Sequence, residues 1–155
     1  MLIFSFFHYM NTQNDEFNKA IHKLFHGELM ERAAAARKIG HLKEGRAINL
    51  LTKAIQKEKD SIVVNRIIEA MGEIKHPKST MIIINILREE IGKSDDKQDK
   101  QRIFLIIESL MKIGDKRALE DLGILLNSCV DDEIKALTEN ALECLDINWK
   151  ENLKR

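Results

Sequence analysis

Proline, glycine and cysteine are all scarce in this chain. One Pro and seven Gly in 155 residues leave little material for tight turns and point to long helices. Two Cys exclude a disulfide framework and a four-Cys zinc site, and a reducing cytoplasm is the simplest setting. An excess of one charge sign is missing too, because 25 Lys and Arg stand against 25 Asp and Glu. That balance excludes the strongly basic chain of the simplest nucleic-acid binders and an acidic disordered tail. No apolar run reaches the roughly 20 residues of a membrane-spanning helix, so no membrane partner is expected. A Gly-rich phosphate loop, a G-x-S-x-G elbow and a paired-Cys motif are all absent. No catalytic residue, metal or cofactor is therefore assigned. What is present is a 44% hydrophobic, 32% charged chain, enough for one folded domain.

The first ten residues, MLIFSFFHYM, hold four of the eight aromatic residues: Phe4, Phe6, Phe7 and Tyr9. The run has about half the length of a spanning helix. It has the length of a signal-peptide apolar region but neither its basic start nor its small-residue cleavage site. A packed N-terminal cap and an initiation at Met10 are the other readings, and residues 1–14 are set apart as an N-terminal apolar segment. Phe17 to Phe25 reads as a lone second helix of a degenerate leading unit. At the other end NWKENLKR is polar apart from Trp149 and Leu153, and is expected to complete or cap the last helix.

An internal repeat organises the rest. KIGHLKEGRAINLLTKAI from Lys38, AMGEIKHPKSTMIIINIL from Ala70 and SLMKIGDKRALEDLGILL from Ser109 align, and ALECLD from Ala141 opens the same way. Gly40, Gly72, Met111 and Glu143 are then equivalent, at spacings of 32, 39 and 32. The longer interval holds a charged insertion, GKSDDKQDK, expected as a loop over 92–100. Each unit carries two helical patterns, giving hairpins at about 31–57, 62–91 and 101–129 and a partial one at 133–149, all in one domain over 15–149. Columns such as Leu51, Ile83 and Leu122 are apolar in every unit at helical spacing, which marks an inter-helix core. Asp60-Ser61 and Asp131-Asp132 precede first helices as N-caps, Asp115 precedes a second helix, and Pro77 stands where a helix restarts. The expected fold is all-α: a right-handed α-solenoid of about three and a half stacked antiparallel hairpins. One hairpin cannot bury its apolar face alone, so stacking is obligatory.

SLMKIGDKRALEDL resembles the short HEAT-like repeat unit of the phycobilisome lyase type, roughly A-L-G-x-L-G-D-P-R-A-V-x-x-L. KIGHLKEGRAINLL and AMGEIKHPKSTMII are weaker copies, and the resemblance covers about residues 28 to 146. It implies an architecture rather than an activity. It also implies that second helices line the concave face. Iron-dependent deoxyhypusine hydroxylase has a similar architecture, but its His-Glu dipeptides are absent: His41 precedes Leu42 and His76 precedes Pro77.

Candidate sites follow from comparing units. Arg46, Lys78 and Arg117 form a basic column at the starts of second helices, with Glu44 and Asp115 two residues before two of them. This is either a structural ladder of inter-repeat ion pairs and caps, as the resemblance implies, or an anion-binding ladder. His22 and His26 are four apart but lack a third ligand. Cys129 and Cys144 lie near Asp131, Asp132, Glu143 and Asp146, which disfavour a thiolate. On the second helices the outward positions are Asn49, Thr52 and Lys53 in the first unit but Met81, Ile84 and Asn85 in the middle one. The run MIIIN is too apolar for a half-exposed helix. Met81 and Ile84, flanked by Lys53 and Arg88, are the candidate partner-binding patch, with burial of the central repeat as the alternative. Lys19 to Lys59 holds ten cations and four anions, about +6, and Glu120 to Asp146 is about −7. Such a dipole would orient a partner or favour head-to-tail self-association. The expected function is a non-catalytic adaptor binding another protein. The alternatives are an accessory subunit of a lyase-type enzyme handling a prosthetic group, and weak nucleic-acid binding through the basic end.

Overall fold

A computed structural model describes residues 2–154, with side chains described from residue 9 onward. The helices are α1 (Leu2–His26), α2 (Leu29–Leu42), α3 (Ile48–Lys57), α4 (Ser61–Ile74), α5 (Ser79–Ile91), α6 (Lys100–Ile113), α7 (Leu119–Ser128), α8 (Asp132–Leu145) and the short α9 (Trp149–Asn152). No strand occurs among the described residues. The chain is an all-α solenoid: α2, α4, α6 and α8 stack as one layer, and α3, α5 and α7 cover it as a second. α1 packs along α2 and opens the stack. It runs through residue 14 without a break, so Phe17 to Phe25 is part of a longer helix rather than a lone short one. The aromatic side chains on which a separate N-terminal segment was expected, Phe4, Phe6 and Phe7, lie outside the described residues.

The first helices begin and end by the same chemistry in successive units. A helix start leaves backbone N–H groups without partners, and a carboxylate meets them each time. Asp60 accepts from Ile62 N at 2.9 Å, Asp99 from Arg102 N at 2.9 Å, and Asp131 from Glu133 N and Ile134 N at 3.0 and 3.2 Å. At α2 the bond runs the other way, with Glu28 N donating to Glu31 Oε2 at 3.2 Å. Three exits use a left-handed residue: Lys43 at φ 53°, Lys75 at φ 57° and Gly114 at φ 73°. Their spacing reproduces that of the caps. The fourth exit differs, since Asp146 is extended at φ −156° and the chain turns into α9.

Small residues let the first helices approach. A Cβ on Gly40 would lie 2.8 Å from Ala70 Cα, and one on Gly72 would lie 2.9 Å from Ser109 Cα. Ser109 Oγ, buried at that contact, donates to Ile68 O at 3.1 Å. Met111 takes the equivalent place in α6, and the contact thins from α2–α4 through α4–α6 to α6–α8. Between the layers Leu51, Ile83 and Leu122 are wholly buried, with Ile39, Ile67, Ile68, Met71, Leu87, Ile103, Ile106 and Ile107 around them.

The insertion is irregular over 92–99, with one 3-10 turn at Asp95–Lys97, and Lys100 already opens α6. It is pinned by a buried carboxylate. Glu90 Oε1 accepts from Lys93 Nζ at 2.6 Å and Arg102 Nη1 at 3.1 Å, and Oε2 accepts from Asp99 N at 3.0 Å. Arg102 then reaches Asn65 Oδ1 at 2.9 Å and Ser61 Oγ at 2.8 Å, which ties α4, α5 and α6 together. A buried charge is tolerable only when paired and bonded in this way.

An L side chain in the left-handed region costs roughly 1–2 kcal/mol, and glycine returns part of that gain as unfolded-state entropy. Lys43→Gly and Lys75→Gly should each therefore stabilise the fold by roughly 0.5–1 kcal/mol. Urea unfolding of the two variants checks this, and a loss of stability would contradict the assigned turn.

Candidate protein-binding groove on the first helices

The second-helix patch does not survive as a surface. Ile84 is wholly buried, while Met81 is 38% exposed. Asn85, Asn49 and Lys53 are exposed and Thr52 is half-buried, with its hydroxyl donating to Ile48 O at 2.7 Å. Arg88 is committed elsewhere: its Nε and Nη2 donate to Asp121 Oδ1 and Oδ2 at 2.6 and 3.0 Å. Asp121 is itself almost wholly buried on α7, and the pairing holds the Arg88 pKa above its ordinary value. The expected patch is thus reduced to one exposed methionine among polar residues. The apolar excess of MIIIN is core, the alternative that the sequence left open.

The basic column at the second-helix starts is a set of local bonds with one open member. Arg46 binds Glu44, reaches Asn14 Oδ1 on α1 at 3.0 Å and lies 4.0 Å above the Phe17 ring. Arg117 binds Asp115 and reaches back to Pro77 O at 2.8 Å. Asp115 also accepts from Thr80 Oγ1 at 2.9 Å and from Arg117 N at 3.0 Å. In the middle unit His76 replaces the acid, and its Nδ1 accepts from Lys78 N at 3.1 Å. The Lys78 side chain makes no ion pair or hydrogen bond among the described residues.

The basic end is also less free than its tally suggests. Lys23 pairs with Glu31, Arg32 with Glu58, Lys38 with Glu16 and Arg46 with Glu44. His22 and His26 stack tilted, with centroids 4.9 Å apart, and both are exposed. No cluster that could hold a metal occurs among the described residues. Cys129 is half-buried and Cys144 exposed.

The closest approach between successive units is on the other layer. There α2, α4 and α6 pack along one another, whereas α3 and α5 scarcely touch. A groove of about 350 Å³ crosses the three first helices, lined by Arg37 and His41 of α2, Arg66, Glu69 and Glu73 of α4, and Leu105, Glu108 and Lys112 of α6. Its floor is the close-packed seam of Gly40, Ala70 and Ser109.

The groove walls are polar and arranged by charge. Lys112 Nζ donates to Glu73 Oε1 at 2.6 Å across α6 and α4, and this bond holds the Glu73 carboxyl below the usual range. Arg66 Nη1 donates to Glu69 Oε2 at 2.7 Å along α4. Arg37 at one end and Glu108 at the other make no side-chain bond among the described residues. The groove therefore offers a free cation on α2 and a free carboxylate on α6.

Its α2 end opens onto apolar surface. Met30 is 70% exposed and Ile62 is 52% exposed, and both line a shallower hollow with Ala34, Arg37, Lys38 and Arg66. Sequence reasoning missed these residues because it searched the second helices. The signal was nonetheless there: counted from the N-caps, the Met30 and Ile62 position is filled by Gln101 and Glu133 in the later units.

The family model for HEAT repeats matches residues 19–103. That is more than half of the chain, and the chain belongs to the HEAT repeat family. Such repeats generally mediate protein–protein interaction. No curated protein matches the chain. No helix among the described residues is long and apolar enough to cross a membrane.

Two predictions follow from burial and charge. Ile84→Ala should destabilise by about 2–5 kcal/mol, as large-to-small core changes do, whereas Met81→Asp should stay within about 0.5 kcal/mol. Chemical denaturation of both separates core from surface. Asp115, held at about 2 against an ordinary 3.8 chiefly by the Arg117 guanidinium, is stabilising when ionised. A depressed folded-state pKa contributes fully above the unfolded value and is lost as pH falls through the folded one. Asp115→Asn should lower Tm at neutral pH, with the gap from wild type closing between about pH 4 and pH 2. A gap unchanged to pH 2 would assign the effect to the cap rather than the charge.

Proposed function

We propose that this chain is a non-catalytic protein-interaction scaffold whose partner lies in the groove across α2, α4 and α6. The observation that carries this is the groove itself, which crosses three successive units and ends in unpaired charges of opposite sign, Arg37 and Glu108. A partner segment spanning the stack would be oriented by that pair, since charge complementarity sets register and encounter more than affinity. The HEAT repeat match supports the class of function. Two free cysteines suit a reducing cytoplasm as the setting.

The resemblance of SLMKIGDKRALEDL to the lyase-type unit concerns architecture and supports no activity of its own. Nucleic-acid binding is disfavoured because the groove mixes charges of both signs and four basic-end cations already hold carboxylates.

The test is capture from native lysate with three baits: wild type, Arg37→Glu with Glu108→Lys, and Met81→Asp with Asn85→Asp on the second helices. The groove pair should lose the partner and the second-helix pair should keep it, with all three equally stable. Loss only in the second-helix variant would move the binding face to α3, α5 and α7.

A further inference from the structure

We infer that the α1–α2–α4 end of the first-helix surface docks an acidic amphipathic helix of a partner protein, with two apolar side chains seated on Met30 and Ile62. This rests on the scaffold reading and adds to it the chemistry of the partner.

Two hollows meet at Met30. One, of about 570 Å³, lies between α1 and α2 and is lined by Lys19, Ala20, Lys23, Met30, Ala34 and Lys38 among others. The second, of about 430 Å³, lies between α2 and α4 and includes Met30, Ala34, Arg37, Ile62 and Arg66. They share Met30, Ala34 and Lys38 and so form one trough across three helices. Its floor is alanine, and its two prominent apolar groups, Met30 and Ile62, are 70% and 52% exposed. Exposed methionine suits such a role, since its flexible, polarisable side chain adapts to an apolar anchor.

The rim selects the sign of the partner. Lys19 and Arg37 make no ion pair among the described residues. Lys23 and Lys38 hold Glu31 and Glu16 through pairs whose side chains are about half exposed. Exposed pairs of that kind are worth at most about 1 kcal/mol, so an incoming carboxylate can exchange into them. Counting Arg66, which pairs with Glu69, the trough presents five cations against the Glu16, Glu31 and Glu69 carboxylates, with Lys19 and Arg37 the two left over. An acidic segment complements that field, and a basic one is repelled.

Register selects the form. Met30 and Ile62 stand at the same position, two residues after the N-cap, on the neighbouring helices α2 and α4, and line one hollow. Residues i and i+7 of a helix are separated by about 10.5 Å along its axis and share a face. A helix crossing α2 and α4 with apolar residues at i and i+7 and carboxylates on either side would meet both anchors and the rim cations together.

The experiment places a photo-cross-linking amino acid at position 30 of the full chain and, in a second protein, at position 108 in the α6 end of the groove. Each is irradiated in native lysate and the attached segment is sequenced by mass spectrometry. The expected result at position 30 is a net-acidic segment with apolar residues seven apart. Its synthetic peptide should bind the chain at 50 mM salt and lose at least tenfold in affinity at 300 mM. Met30→Asp with Ile62→Asp should reduce that binding at least a hundredfold at unchanged Tm, and Arg37→Glu about tenfold. A neutral or basic segment, a second copy of this chain, or no adduct at position 30 would each overturn the inference. An adduct at 108 without one at 30 would do so while leaving the scaffold reading standing, and adducts at neither would remove both.

Discussion

The backbone-to-backbone approach of the first helices is the constraint on which the rest depends. Helices that meet through ordinary side chains pack about 8–10 Å apart. At Gly40 against Ala70 and Gly72 against Ser109 there is no room even for a methyl group on the glycine. That seam draws α2, α4 and α6 together while α3 and α5 stand apart. The same seam forms the groove floor, because small residues there leave space between the longer side chains of the walls. Where Met111 replaces glycine the contact weakens, and the groove does not extend onto α8.

Electrostatics in this stack are spent on joining units. Arg88 to Asp121 links α5 to α7, Arg102 links Glu90 to Ser61 and Asn65, and Arg117 reaches the carbonyl of Pro77 in the preceding unit. Such bonds are directional, and truncating one partner of the buried Glu90 cluster would leave a charge stranded, which is far costlier than the pair is stabilising. Regional charge tallies therefore overstate the field that a partner meets. The cations that count are those left without a carboxylate, and on the first-helix surface Arg37 is the clearest of them.

Much of the fold was legible because the repeat constrains every level at once. The spacings of 32, 39 and 32 read from Gly40, Gly72, Met111 and Glu143 recur in the caps at Glu28, Asp60, Asp99 and Asp131, and the first two recur in the exits at Lys43, Lys75 and Gly114. The Leu51, Ile83 and Leu122 column is buried throughout. Ile84 was misplaced because helical periodicity gives the angle of a residue around its own axis and not how many neighbours surround that axis. The central second helix is covered more completely than a single hairpin suggests. Gly123 shows the same effect at the next unit, where Leu153 occupies the place of the missing side chain, 2.7 Å from where its Cβ would stand. Arg88 was misread for a related reason, since its acceptor Asp121 lies 33 residues away in sequence.

Comparison between units remains informative once the exposed layer is known. A column inside the stack must be apolar in every unit, so an apolar residue there carries no message beyond packing. A column on the open surface has no such requirement, and polar residues are the default. Met30 and Ile62 against Gln101 and Glu133 is a departure of that second kind, whereas Ile84 against Thr52 belongs to a column that the structure covers. How closely the helices of a layer pack bears on which columns stay open, and the close approach of the first helices rests on Gly40 and Gly72, residues that contribute no side chain.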